Sequence, residues 1–215
     1  MSTKNIILIV IAVAIIGFVV WIGGSQKTPP VQQVIPTLAE PAATTTPKLE
    51  TNSIKSMTTA IITTNKGVIT LELFDDKKPN TVANFKKLAS EGFYNGTRFH
   101  RVIKGFMIQG GDPLSKDTSM QSRWGTGGPG YQFADEIGSD NSNNTFTIAM
   151  ANSGPNTNGS QFFINTANNN FLDTKHTSFG RVTEGMEVVT AIENTKTMPG
   201  DRPVEDMIIE KIEIK

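Results

Sequence analysis

The chain is 215 residues long, 37% hydrophobic, and balances 20 Lys and Arg against 20 Asp and Glu. That balance gives no basis for nucleic-acid binding or for an acidic substrate. The absence of cysteine excludes disulfides, thiol catalysis and cysteine-ligated zinc, and only two histidines, His100 and His176, are present.

Residues 6–22 (IILIVIAVAIIGFVVWI) form an apolar run without a charge, preceded by Lys4 and followed by Gly23-Gly24. As a helix this run is about 25 Å long, at the short end of what crosses a bilayer core of about 30 Å, and Trp21 stands where an interfacial aromatic is expected. The expectation is a single-pass membrane anchor over residues 1–24, with its N-terminus cytoplasmic and the rest of the chain extracytoplasmic. A cleaved signal peptide, with secretion of the remainder, is the alternative, because both share a charged start and an apolar run. Residues 25–56 carry five prolines and the Thr44-Thr45-Thr46 run with few large apolar side chains. Such a composition cannot bury enough surface to fold and reads as a disordered, semi-extended linker.

Residues 57–215 carry the signals of a compact β-rich domain. Ala60 to Thr63 and Val68 to Phe74 read as strands joined through Asn65-Lys66-Gly67, with Ile69, Leu71 and Leu73 alternating against Thr70 and Glu72. Asn80 to Ser90 reads as a helix, with Val82, Phe85 and Ala89 on one face. Phe99 to Ile103 and Phe106 to Gln109 read as short strands broken at Lys104-Gly105. Within the first of these, Arg101 and Ile103 share one side while His100 and Val102 share the other. Thr145 to Met150 (TFTIAM) alternates as a half-buried strand, and Phe162 to Ile164 is an apolar one. Between them, Asn152, Asn156, Asn158 and Gln161 are spaced by Gly154, Pro155 and Gly159, a loop able to hold several amides at fixed angles. Amides beside an aromatic wall suit an extended peptide. Gly185 to Asn194 predicts a second helix and Met207 to Lys215 a final strand.

Several motifs fail on inspection. Gly125 to Gly130 (GTGGPG) satisfies G-x-G-x-x-G formally, but Pro129 lies inside it and no crossover helix follows. Ser160 lacks a nucleophile elbow, and two isolated histidines do not make a metal site. Asn95, Asn143 and Asn158 open glycosylation-type triplets of a kind common by chance.

Phe99 to Asp112 (FHRVIKGFMIQGGD), Met150 to Ile164 (MANSGPNTNGSQFFI), and Phe171-Leu172-Asp173 with His176 and Phe179-Gly180 follow one another in the chain. In this order and spacing they resemble the cyclophilin family of peptidyl-prolyl cis-trans isomerases. The resemblance covers residues 57–215 and none of the anchor or linker. It implies a mainly β fold, a closed eight-stranded antiparallel barrel capped by two helices, with an external groove for Xaa-Pro segments of polypeptides. It implies a monomeric catalytic domain that uses no metal and no cofactor. Position by position, it implies that Arg101 is catalytic and that His100, Phe106, Met107, Gln109, Ala151, Asn152, Gln161, Phe163, Phe171, Leu172 and His176 bind substrate, with Gly125 in a matching glycine loop.

Phe106, Met107, Phe163 and Leu172 are then expected to seat the proline ring, and Gln109 and Asn152 to fix the flanking peptide. His176 is either a neutral wall or a donor. Two departures stand out. Phe171 lies where the best-known eukaryotic members carry a Trp whose indole N–H contacts the inhibitor cyclosporin, so weakened cyclosporin binding with activity retained is expected. Asp117 to Trp124 matches no block of the family.

Overall fold

The computed structural model describes residues 57–215. The expected anchor over residues 6–22 and the linker over residues 25–56 lie outside the described residues. Among the described residues no helix is long and apolar enough to cross a membrane.

The first elements are a hairpin of β1 (Thr59–Thr64) and β2 (Gly67–Leu73), turned at Asn65-Lys66. Its alternation is as expected: Ile69, Leu71 and Leu73 are buried and Val68, Thr70 and Glu72 are not. Helix α1 (Pro79–Ser90) begins one residue earlier than the sequence predicts, because proline has no N–H to leave unpaired in a first turn. No side chain of the preceding residue caps it. Instead Glu136, from a distant loop, accepts from the backbone N–H groups of Asn80 at 3.1 Å and Thr81 at 2.8 Å. Burial alone raises the Glu136 pKa, but these donors outweigh it and hold the group below the usual carboxylate range.

Short strands follow: β3 (Thr97–Arg98), β4 (Arg101–Ile103), β5 (Met107–Gly110), β6 (Thr147–Met150) and β7 (Phe162–Asn165). After them come β8 (Ser178–Glu184), α2 (Met186–Glu193), a small hairpin of β9 (Thr197–Met198) and β10 (Arg202–Pro203), and β11 (Ile208–Ile214). Two expected strands change shape. The one over Phe99 to Ile103 is split, since the Phe99 N–H donates to Met207 while the Val102 N–H donates to Asp201, so the chain changes partners between them. The one expected from Thr145 starts only at Thr147, because Phe146 sits at φ 65°, in the left-handed region. Gly185 enters α2 at φ 84°, where a Cβ would lie 2.2 Å from the Val68 carbonyl oxygen, so only glycine fits there.

One nine-stranded antiparallel sheet runs β3-β11-β1-β2-β8-β6-β7-β5-β4. This corrects the expected closed eight-stranded barrel: the sheet curls, but no ladder joins β3 to β4. These two edge strands are consecutive in the chain, and only Phe99 and His100 separate them. Phe99 and His100 make no turn, and the backbone bonds of Phe99 to Met207 and of Val102 to Asp201 carry the chain onward from one edge to the other instead of folding it back to pair. Inside the curl, Phe85 of α1 packs in tilted and edge-on contact with Tyr94, Phe162 and Phe179, with ring centroids 5.3 to 5.7 Å apart. Val188, Val189 and Ile192 of α2 join the same core. Each such large side chain, fully buried, contributes roughly 1.5–3 kcal/mol.

Candidate functional site

Strands β4, β5, β7 and β6 lie side by side, and each sends alternate residues to opposite faces. Val102, Ile108, Phe162, Ile164 and Ile148 enter the main core. Their neighbours Arg101, Ile103, Met107, Gln109, Phe163 and Ala149 therefore take the outer face. The register aligns them: Arg101 is opposite Gln109, Gln109 opposite Phe163, and Phe163 opposite Ala149. A single row across four strands thus reads cation, amide, aromatic, small apolar.

Met107, Ala149, Phe163 and Leu172 form a second apolar cluster on this face, and Ile103, Phe106 and Ala151 pack against it. Leu172 reaches it from a 3-10 turn, Asn170–Leu172, that crosses outside the sheet. His176 follows, its N–H donating to the Leu172 carbonyl at 3.0 Å and its ring meeting Phe163 edge-on at 5.4 Å. His176 Nδ1 lies 2.9 Å from the Met150 carbonyl oxygen. A carbonyl only accepts, so Nδ1 is the protonated nitrogen and Nε2 is the one left free. One ring nitrogen of His176, as Nδ1–H, is thus committed to the backbone, and the ring packs against Phe163. Phe171, 63% exposed, stacks on Phe106 at 5.9 Å and 18°.

Beside the row opens a groove of about 780 Å³, lined by Gln109, residues 125–132, Ala151, Asn152, Ser153 and Gln161, among others. It meets the apolar cluster at Ala151 and the cross-strand row at Gln109. Neither Arg101 nor Phe163 lines it. Gln161 joins the two: its amide carbonyl accepts from Gln109 at 2.9 Å, and its NH₂ donates to the carbonyls of Gly125 at 3.0 Å and Gly127 at 2.8 Å. The Asn152 amide is tied into its own surroundings, donating to Lys175 at 2.8 Å and accepting from Gly154 at 3.2 Å. Its side chain ties the Asn loop to the segment before His176 at the wall of the groove. His100 is only 6% exposed and lies behind Gly125, where a Cβ would stand 3.6 Å from its Nε2. Burial pushes its pKa down, with nearby Asp112 acting in the opposite sense.

Three supports escaped the sequence reading. Asp112, fully buried, accepts from the N–H groups of Leu114, Gly125 and Gly127 and so fixes the glycine loop. An Asp just before Pro113 is a cap signal, so the bond to Leu114 was legible, but the hold on the distant glycine loop was not. Asn169 donates through its amide to the Phe106 carbonyl and to Asn165, both at 2.7 Å, bracing the wall formed by Phe106 and Leu172. Asp201 contacts Arg101 from a hundred residues away in the chain, which no local pattern reveals. The unmatched Asp117 to Trp124 segment is a self-capped 3-10 turn. Asp117 accepts from Ser119, and the Trp124 indole donates back to the Asp117 carbonyl at 3.0 Å beneath the Arg98 guanidinium. Asn143 and Asn158 are buried, which removes two of the three glycosylation-type triplets from reach. Among the described residues no group of three His, Asp or Glu side chains is arranged to hold a metal ion.

The family model of cyclophilin type peptidyl-prolyl cis-trans isomerase/CLD matches residues 59–214. Peptidyl-prolyl cis-trans isomerase cyp15 of Rhizopus delemar is 46% identical over 74% of this chain, but the match spans only 24% of that relative's length. Peptidyl-prolyl cis-trans isomerase-like 1 of Mus musculus is 48% identical over 69% of this chain and 87% of its own. Probable peptidyl-prolyl cis-trans isomerase A of Mycobacterium leprae is 44% identical over 76% and 96%. A crystal structure of a cyclophilin type peptidyl-prolyl cis-trans isomerase from Cryptosporidium parvum superposes with a TM-score of 0.68 at 35% identity, covering 74% of this chain and 98% of that one. A second, crystallised in the presence of the dipeptide Ala-Pro, gives 0.67 at 36% identity over 73% and 98%. The curled sheet, the three sequence blocks and these matches agree, and the chain belongs to the cyclophilin-type peptidyl-prolyl cis-trans isomerase family.

Proposed function

We propose that this protein accelerates cis-trans isomerisation of Xaa-Pro bonds in polypeptides, with Arg101 as the catalytic cation. Rotation about such a bond is opposed by amide resonance, a barrier of about 18–20 kcal/mol, and no covalent bond to the protein is needed to lower it. In the twisted transition state the prolyl nitrogen leaves conjugation and becomes a better hydrogen-bond acceptor. A guanidinium fixed beside it binds the twisted form more tightly than the planar one, which is the condition for catalysis. Phe106, Met107, Phe163 and Leu172 hold the proline ring while the other side of the bond turns. The groove between Gln109, Gly125, Ala151 and Gln161 takes the peptide that precedes it.

The observation that carries this reading is the register that aligns Arg101, Gln109 and Phe163 across three strands, a cation at one end and an apolar seat at the other. NMR exchange on an Ala-Pro peptide with the full-length chain tests it. Exchange should speed up, and Arg101→Ala should lower kcat/KM by on the order of 10²–10³ while the fold is kept. Resonance shifts without faster exchange would make the protein a proline-peptide binder instead.

A membrane location completes the proposal. Residues 6–22 are apolar throughout and long enough to span a bilayer with local thinning, and Lys4 before them supplies the cytoplasmic flank, which supports a domain that works on polypeptides outside the cytoplasm as a tethered folding assistant. Recovery of the intact chain with membranes, and digestion of the domain by protease added from outside, are the results expected. A mature mass lacking residues 1–24 would replace the anchor by a cleaved signal peptide.

A further inference from the structure

A guanidinium acts on a transition state only if it is already aimed when the bond twists. Arg101 stands 44% exposed on an outer face, and a long side chain in that position samples many rotamers unless something holds it. Among the described residues, the one carboxylate in contact with its guanidinium is Asp201, whose Oδ2 lies 3.3 Å from Arg101 Nε. We infer that Asp201 is the positioning residue for Arg101, an inference that rests on the role proposed for Arg101.

The contact uses Nε, the guanidinium nitrogen nearest the main chain, so both terminal nitrogens stay available to a ligand. Asp201 is itself fixed by its backbone. It sits at φ 63° in the turn between β9 and β10, and its N–H donates to Met198 at 3.1 Å. Its carbonyl accepts from the Val102 N–H at 2.8 Å. One residue therefore grips the main chain next to Arg101 and the Arg101 side chain together. The nearby carboxylate of Glu193 accepts from the Gly105 N–H at 2.8 Å and serves a different turn. The β9–β10 hairpin thereby contributes to the site without touching the apolar seat.

The test is a double-mutant cycle on the full-length chain. Asp201→Asn and Asp201→Gly both tolerate a positive φ, so the turn survives each. We expect each to lower kcat by on the order of tenfold, with KM within about twofold of the parent. We expect Asp201→Gly to cause no further loss in an Arg101→Ala background. An equal fold-loss in both backgrounds would show that Asp201 matters only for folding, and unchanged kcat in both single variants would also overturn the inference. Arg101→Ala is read alongside: wild-type turnover there removes the proposed role of Arg101 itself, whereas a large loss there with unaffected Asp201 variants removes only the inference.

Discussion

The side-chain amide of Gln109 donates to Gln161 at 2.9 Å, and Gln161 donates onward to the carbonyls of Gly125 and Gly127. A strand residue in the cation-to-aromatic row is thereby wired to the glycine loop that forms the far side of the groove. Gln161→Leu keeps the bulk and removes both links. The backbone amide resonances of residues 125–127 should shift and broaden. KM for a peptide extending N-terminally from proline should rise about three- to tenfold, with kcat changed less, because the loss falls equally on the ground state and the transition state. Equal KM values in the two proteins would detach the glycine loop from substrate.

Asp112 answers the same loop from beneath. Its buried carboxylate satisfies three backbone donors, and removing it leaves them without partners. Asp112→Ala should cost about 3 kcal/mol or more in urea unfolding. Gly127→Ala should also destabilise, since its Cβ would lie 2.1 Å from Asp112 Oδ1. Midpoints within experimental error of the parent would remove Asp112 from this role.

These supports mark the boundary of what the sequence could reveal. The alternation of TFTIAM was enough to separate Ile148 and Met150, which face the core, from Ala149, which faces outward, whereas the all-apolar FFI run did not tell Phe163, on the outer face, from Phe162 and Ile164 in the core. Arg101 and Val102 parted in the same way. Alternation does not give register, however, and the row linking Arg101, Gln109 and Phe163 exists only through pairing between strands far apart in sequence. Sheet closure was illegible for the same reason, because it turns on whether two edge strands meet. The Asp201 contact and the Glu136 cap on α1 bridge separations of 100 and 55 to 56 residues and carry no local signature. His100 belongs to the strand side opposite Arg101, as alternation required, which is why it ends up buried behind Gly125 rather than in the open groove.

That burial has a pH consequence. The His100 pKa is lowered in the folded state from its ordinary value of 6.5, so the unfolded chain binds its proton more readily. The stability contributed by neutral His100 is complete above the unfolded value and is lost as pH falls below it toward the folded one. Unfolding free energies measured in urea should therefore decline from about pH 6.5 downward, before the carboxylates titrate. The decline should be shallower in His100→Gln, and the difference between the two proteins isolates His100 from every other group. Parallel pH profiles would mean that the ring is protonated equally easily in both states.

The stacked pair of Phe106 and Phe171 gives the last prediction. Phe171 is largely exposed, and its turn is held by Leu172 beneath and by Asn169 beside it, so the ring is a wall rather than a core element. Truncation to Ala should leave the unfolding free energy within about 0.5 kcal/mol, as for an exposed site. It should weaken substrate binding through loss of the aromatic face, an interaction of about 0.5–1.5 kcal/mol. Phe171→Trp restores an indole N–H where phenylalanine has no donor. A single added hydrogen bond of about 1 kcal/mol corresponds to a roughly five- to tenfold gain in cyclosporin affinity, with kcat/KM on an Ala-Pro peptide little changed. Calorimetry on the two proteins decides it: equal cyclosporin affinities would mean that the ring at this position faces away from the inhibitor, and that the pairing with Phe106 closes the wall instead of offering a donor to it.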